Sequence, residues 1–243
     1  MKFNLKLVLQ GAAVSLLIIS QQGLAAISLD RTRIIFDGSV KSISLEISNQ
    51  NKKLPYLAQG WLEDASGKKI ASPMTVLPPV QRVEPGAKSQ VRIQAIPAIG
   101  TLPQDRETLF YFNLREIPPK SDKPNTLQIA LQTRIKLFYR PMGIAGQSEG
   151  TPQEKLTLTK VSGGYQINNP TPFYITLVEA AISPTAKSLE SFTPLMVEPK
   201  GSASLPDLGV SPVVTYVNDY GGRPKLQFTC SGNSCSAKTV STK

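Results

Sequence analysis

Hydrophobic and polar residues alternate along much of this chain. The alternation is clearest in residues 42–48, 90–94 and 127–132, where each apolar residue is followed by a polar or small one. A period of two over five to eight residues is typical of half-buried β-strands, whereas amphipathic helices repeat every 3.6 residues. Glycine-containing turns separate these segments, and the 20 prolines disfavour long helices. The pattern therefore predicts an all-β protein built from sandwiches or barrels.

The alternation is lost between residues 141 and 150, which are rich in glycine and small side chains, and it resumes at residue 156. Each side of this segment has roughly 100 residues, enough to bury a core of its own. We therefore predict an N-terminal domain at residues 26–140, a linker at 141–150 and a C-terminal domain at 151–243.

The first 25 residues have the pattern of a secretory signal peptide. Two lysines precede an apolar run at residues 7–19, and Gly23 and Ala25 supply small residues at its end. A membrane anchor is the alternative, but a spanning helix needs about 20 apolar residues. We therefore predict cleavage between Ala25 and Ala26 and export of the remaining chain. No later run approaches spanning length, so we predict no membrane insertion.

The cysteine and histidine content limits the chemistry. The chain has no histidine, and its only cysteines are Cys230 and Cys235. In an exported protein such a pair predicts a disulfide. Four residues between two cysteines, with no histidine and no second pair, make a poor zinc site. We therefore predict no metal and no other cofactor.

Charge and motifs argue against an enzyme or a nucleic-acid-binding protein. The net charge is +10, of which two lysines belong to the predicted signal peptide, so the remainder carries +8. These basic residues are dispersed, and an exported chain seldom meets nucleic acid. Without histidine, Ser-His-Asp and Cys-His catalytic sites are excluded, and no glycine-rich phosphate loop is present. These absences therefore argue against catalytic activity, although carboxylate spacing alone leaves open a glycosidase with a pair of catalytic carboxylates.

Five motifs carry a resemblance to a known family. They are SLDRTR at 28–33, PVQR at 79–82, LPQDRETLFYFNLREIP at 102–118, QTRIKLFYRP at 132–141 and NDYGGRP at 218–224. The chain resembles the periplasmic pilus chaperones from residue 26 to its cysteine pair. This resemblance implies two immunoglobulin-like β-sandwich domains in an L-shaped arrangement with a cleft between them. It also implies a periplasmic protein that lends a strand to an incomplete pilus subunit and delivers the subunit to an outer-membrane usher.

The resemblance assigns the lent strand to residues 127–136. Leu127, Ile129 and Leu131 share one face of it and would fill successive pockets of the subunit. Alternation alone favours a strand that faces its own core, because core strands greatly outnumber lent ones. Only the resemblance favours the subunit.

Arg33 and Lys136 match the family's pair of basic residues that grip the carboxylate at the subunit's C-terminus. An arginine fork and a lysine point charge suit that role. Judged without the resemblance, both are ordinary surface charges. Strict alternation also places Lys136 on the face opposite to Leu131. Either a bulge or a change of exposure intervenes along the strand, or Lys136 reaches the cleft from the other face. A period of two does not by itself identify Lys136 as a cleft residue.

Glu107, Arg140 and Asp219 match a buried ionic network that fixes the angle between the domains. The alternative is three independent solvated charges. For the whole protein, a pilus subunit or adhesin and a carbohydrate-binding or hydrolytic sandwich are the competing hypotheses. The direct entry from Ala26 into the Arg33 motif argues against the first, and the missing catalytic residues argue against the second. Self-association of free molecules through an exposed strand edge is left open.

Overall fold

The computed structural model describes residues 25–240, so the predicted signal peptide, except for its last residue, lies outside the described residues. Ten strands precede residue 141: β1 (Ile27–Leu29), β2 (Arg33–Asp37), β3 (Ser42–Asn49), β4 (Tyr56–Asp64), β5 (Lys69–Ile70), β6 (Met74–Leu77), β7 (Val80–Val83), β8 (Lys88–Ala95), β9 (Thr108–Ile117) and β10 (Gln132–Arg140). Eight follow: β11 (Thr157–Val161), β12 (Gly164–Asn168), β13 (Ile175–Ala181), β14 (Leu195–Val197), β15 (Ser202–Pro206), β16 (Val213–Val217), β17 (Lys225–Ser231) and β18 (Ser234–Thr239). Among residues 25–240 there is no helix long and apolar enough to cross a membrane.

Two sheets form the N-terminal sandwich. The first has the order β1-β3-β8-β6, and the second has the order β2-β10-β9-β4-β5, with β7 also paired to β4. Leu45, Ile47, Val91 and Ile93 are buried in one core between the sheets. Since β3 and β8 are antiparallel neighbours, Leu45 lies opposite Val91 and their polar neighbours point to solvent. The strands that alternation predicted here are confirmed.

The C-terminal sandwich is one continuous series of paired strands, β14-β13-β16-β17-β18-β11-β12-β15. Leu177 on β13 and Ile167 on β12 are far apart in this series, yet both belong to one buried cluster. The sheet therefore folds over on itself and encloses a second core between two layers. At one hairpin, Cys230 on β17 and Cys235 on β18 are direct partners and form a disulfide.

The connection between the sandwiches differs from the sequence expectation in its local structure. It contains one helical turn, α1 (Met142–Ala145), followed by 3-10 turns at Gly146–Ser148 and Pro152–Lys155, and a further 3-10 turn, Pro97–Thr101, precedes β9. Alternation predicts strands and leaves such single turns unrecognised. Pro141 stands directly before α1, where its missing N–H is not needed by the helix.

The strand that the sequence predicted from residue 127 onward begins later in the structure. Strand β10 begins only at Gln132, so the strand prediction is wrong for residues 127–131. On one side, β9 ends at Ile117 and is followed by two prolines that have no N–H to donate. On the other side, β2 pairs with β10 only from Lys136 onward. Residues 127–131 therefore lack a partner strand on either edge, apart from one hydrogen bond at Leu131.

Candidate binding cleft

Strand β10 presents two different surfaces. One row, Ile135, Leu137 and Tyr139, is buried in the core of the N-terminal sandwich. The alternate row, Lys136, Phe138 and Arg140, points toward the C-terminal sandwich and contacts Thr176, Tyr174 and Phe173 there. The register of β10 with β2 and β9 is regular along the paired residues. Lys136 therefore reaches the cleft from the second face of the strand, and no bulge is required.

Arg33 and Lys136 lie side by side, since they are direct partners on the parallel strands β2 and β10. Both touch the C-terminal sandwich: Arg33 Nη1 donates to the Val217 carbonyl at 2.9 Å, and Lys136 Nζ donates to Thr176 Oγ1 at 3.1 Å. Arg33 Nε is buried without a hydrogen-bond partner among the described residues. Within residues 25–240, neither cation forms a salt bridge with a carboxylate.

The electrostatics of this pair favour an anionic ligand. Burial lowers the pKa of Arg33, although Asp219 and Glu107 oppose that effect from a distance. Burial, together with the positive charge of Arg33, lowers the pKa of Lys136. Two partly desolvated like charges repel each other, and an anion between them would relieve the repulsion. The same anion could accept a hydrogen bond from Arg33 Nε. The pair can therefore bind a carboxylate.

Arg140 joins the two sandwiches through two carboxylates. Its guanidinium lies 2.8 Å from Glu107, which precedes β9, and 2.8 Å from Asp219, which follows β16. Glu107 is 3% exposed and also accepts the Tyr174 backbone N–H at 2.8 Å. Burial raises the pKa of Glu107 to about 7, against the opposing influence of Arg140 and that hydrogen bond. The structure thus brings together the three residues that the motifs suggested.

Several cleft residues were missed by the sequence reasoning. Phe138 stacks on Tyr174 with ring centroids 5.5 Å apart, and Arg140 lies 4.8 Å over the Phe173 ring. At the rim, Lys200 donates to Asp105 at 2.7 Å. Each contact joins residues that are 33 or more positions apart, and no periodicity within one segment can pair such residues.

A cavity lies between the sandwiches beside these residues. Its volume is about 450 Å³, and its walls include Arg33, Phe138, Arg140, Tyr174 and Asp219. Charged and aromatic groups from both sandwiches therefore meet around one opening. Among the described residues, no cluster of histidine, cysteine and carboxylate side chains could hold a metal ion.

The three apolar residues before β10 are not part of the core. Leu127, Ile129 and Leu131 are 85%, 65% and 40% exposed. Leu127 and Ile129 line a depression of about 610 Å³ together with Leu54 and Tyr56. The row that is buried at residues 135–139 thus continues into solvent at residues 127–131, beside an unpaired strand edge.

Known proteins resemble the chain over both sandwiches. A family profile described as pili and flagellar-assembly chaperone, PapD N-terminal domain, matches residues 26–145, and a profile for the C-terminal domain of the pili assembly chaperone PapD matches residues 151–228. The chaperone protein PapD of Escherichia coli is 53% identical over 93% of this chain and 95% of its own length. The chaperone protein PmfD of Proteus mirabilis is 45% identical over 87% of this chain and 86% of its own length.

Solved structures agree with these relatives. The periplasmic chaperone SfaE aligns with a TM-score of 0.69 and 32% identity, covering 84% of this chain and all of that one. The SafB chaperone, solved in complex with the SafA pilin of Salmonella enterica, aligns with a TM-score of 0.72 and 26% identity, covering 86% of this chain and 98% of the matched chain.

Proposed function

This chain belongs to the family of PapD-like pili-assembly chaperones, and from that membership we propose that it captures pilus subunits in the periplasm and delivers them to an outer-membrane usher. Capture occurs by strand addition, in which the chaperone supplies a missing strand to a subunit that lacks one. Such addition combines main-chain hydrogen bonds with side chains that fill alternate pockets. The protein acts by binding alone, needs no cofactor and catalyses no reaction.

One observation carries this proposal: an exposed apolar row beside a free strand edge. Leu127, Ile129 and Leu131 continue the parity of the buried residues Ile135 and Leu137. If residues 127–131 extend β10 on binding, their side chains point to the same side as the core of the N-terminal sandwich and enter the groove of the subunit. Burying each such side chain contributes about 1.5–3 kcal/mol.

Arg33 and Lys136 anchor the captured subunit at the other end of this strand. The paired cations lie on the cleft face, and the buried Arg33 Nε has no partner in the described structure. The terminal carboxylate of the subunit supplies both the negative charge and the acceptor that this site lacks. An arginine fork and a lysine together favour a carboxylate held in one orientation.

The Glu107, Arg140 and Asp219 network holds the two domains in the orientation that shapes the cleft. Arg33 and Lys136 each contact the C-terminal sandwich, so a change in the domain angle would move both anchors relative to residues 127–131. The proposal includes domains at residues 26–140 and 151–243, which a linker at 141–150 joins into an L shape.

The test is co-expression in the periplasm with a pilus subunit, followed by purification of the complex. Ile129→Asn places an amide in the apolar groove of the subunit, and we expect the one-to-one complex to be lost. Val210→Asn is the matched control, because Val210 is 84% exposed and lies on the C-terminal sandwich. Both free variants should melt like the parent protein. Equal capture by the two variants would refute the proposed role of the exposed row.

A further inference from the structure

Glu116 is a buried carboxylate that the proposed function does not use. It lies near the end of β9 and is 6% exposed. Its Oε2 accepts the backbone N–H of Ile27 at 2.8 Å. Its own backbone N–H donates to the carbonyl of Leu131 at 3.0 Å. Glu116 therefore connects the beginning of the predicted mature chain to the base of the exposed row.

The charge of Glu116 has no counter-ion in residues 25–240, where no lysine or arginine forms a salt bridge with it. A carboxylate can accept about four hydrogen bonds. Among the described residues, the Ile27 backbone N–H is the only donor to the Glu116 side chain. Buried charges in proteins are normally paired. A cation is therefore expected close to this carboxylate in the functional protein.

The beginning of β1 is fixed in a way that points to the source of that cation. The Ala26 carbonyl accepts the Gln50 N–H at 2.6 Å, while the N–H of the same peptide group points to Glu116. Ile27 is also in register with Asn49 on β3. These two hydrogen bonds fix the Ile27 nitrogen beside Glu116. Covalent geometry keeps the nitrogen of Ala26 within about one residue length, roughly 3.8 Å, of that nitrogen.

We propose that removal of the signal peptide creates the missing counter-ion. A signal peptidase adds water across the Ala25–Ala26 peptide bond, which leaves a carboxylate on Ala25 and an α-ammonium group on Ala26. That ammonium forms an ion pair with Glu116. In the uncleaved chain the same nitrogen is a neutral amide, and Glu116 stays without a counter-charge. The inference depends on the predicted cleavage position and is independent of the proposed chaperone function.

The ion pair has a structural consequence for the exposed row. Glu116 holds Ile27 through its side chain and Leu131 through its backbone, so the pair ties strand β1 to the segment directly before β10. Processing thus completes the attachment of the chain's first strand at the place where the lent strand begins. The fully attached form arises only after export and cleavage.

The decisive measurement is the pKa of the Ala26 α-amino group in mature protein purified from periplasm, followed by NMR or by pH-dependent labelling of the terminus. We expect it to lie about one unit or more above the ordinary value of about 7.7–8.0. Glu116→Gln keeps an acceptor for the Ile27 N–H but removes the charge, and it should return this pKa to the ordinary range. Glu46→Gln is the matched control, since Glu46 pairs with Lys88 instead, and it should leave the raised value unchanged.

A second variant keeps the test valid if Glu116→Gln does not fold. Inserting Gly-Ser between Ala25 and Ala26 moves the new ammonium away from Glu116 while the side chains of β1 stay the same. We expect an ordinary α-amino pKa and faster hydrogen exchange at the Ile27 amide. An ordinary pKa in the parent protein, or an N-terminal sequence that does not begin at Ala26, would overturn the inference.

Discussion

Strand β10 and the segment directly before it share one alternating pattern but have different surroundings. Leu137 is fully buried, whereas Ile129, on the same row, is mostly exposed. The difference comes from the neighbouring strands: β9 and β2 flank the end of β10, and neither flanks residues 127–131. The same residue types therefore stabilise the free protein in one part and remain available for a partner in the other.

The opposite row gives a similar contrast between two arginines. Arg140 pairs with buried Glu107 at the domain interface, and Arg134 pairs with Glu63 at 2.8 Å on an exposed face, where it also covers the Tyr111 ring. A buried charge left without its partner is costly, whereas an exposed pair contributes little. Both arginines lie on one strand, and they differ in burial and in the number of carboxylate partners, two for Arg140 and one for Arg134.

The largest expected loss of stability distinguishes a substitution at Arg140 from one at Arg134. Arg140→Met leaves Glu107 buried beside no cation and should lower the free energy of unfolding by about 3–5 kcal/mol. Arg134→Met removes a pair whose arginine side chain is 40% exposed and should cost about 1 kcal/mol or less. Urea denaturation of both variants beside the parent measures the difference. Similar losses for the two would contradict a buried network at Arg140.

The next largest loss of stability distinguishes the buried part of the apolar row, at Leu137, from its exposed part, at Ile129. Leu137→Ala creates a cavity in the N-terminal core and should destabilise the free protein by about 2–5 kcal/mol. Ile129→Ala removes an exposed side chain and should change stability by no more than about 0.5 kcal/mol. In a subunit-capture assay, Ile129→Ala should nevertheless speed dissociation of the complex. A large loss of free-protein stability with unchanged capture would show that residues 127–131 are ordinary core.

The two carboxylates that pair with these arginines should respond to pH in opposite directions. Because burial raises the pKa of Glu107 from 4.5 to about 7, the folded state binds its proton more tightly than the unfolded state. Its contribution is fully present below pH 4.5 and is lost as the pH rises to about 7, by at most about 3 kcal/mol. Unfolding free energies measured from pH 4 to 8 should fall less steeply in Glu107→Gln.

Glu63 provides the comparison for that experiment. Partial burial tends to raise its pKa, but hydrogen bonds from Arg134 and Trp61 outweigh this and lower it. A lowered pKa gives stability that is present above the ordinary value of 4.5 and lost as the pH falls through the folded-state value. Glu63→Gln should therefore leave the slope between pH 4.5 and 7 unchanged. A parent slope that Glu107→Gln does not reduce would assign the pH dependence to other groups.

The smallest expected change in stability belongs to the two cleft cations. Arg33→Ala and Lys136→Ala remove no carboxylate pair, so we expect near-parental melting curves together with loss of subunit capture. Lys160→Ala, an exposed charge on β11, is the control that should retain capture. Circular dichroism and pull-down of a subunit distinguish these results. Normal capture by both cleft variants would remove the proposed carboxylate anchor.

The sequence alone determined the fold class and much of the core. Alternation in β3 and β8 identified buried Leu45 and Val91, because a strand with one face toward a core must place apolar residues at every second position. The cysteine pair predicted the disulfide within one hairpin, whereas Arg33 and Glu107 were selected only because their motifs resemble a known family. Local patterns suffice for features whose cause lies within one segment or one hairpin.

Only the tertiary structure decided where each pattern leads. Strand β10 begins only at Gln132, because residues 127–131 have no neighbouring strand. Ile129 is therefore exposed, whereas Leu137 is buried. The tertiary structure also placed Lys136 beside Arg33 and opposite Thr176, which belongs to the other sandwich. Exposure and ion pairing depend on which distant segments pack against a residue, and a repeat within one strand carries no information about those segments.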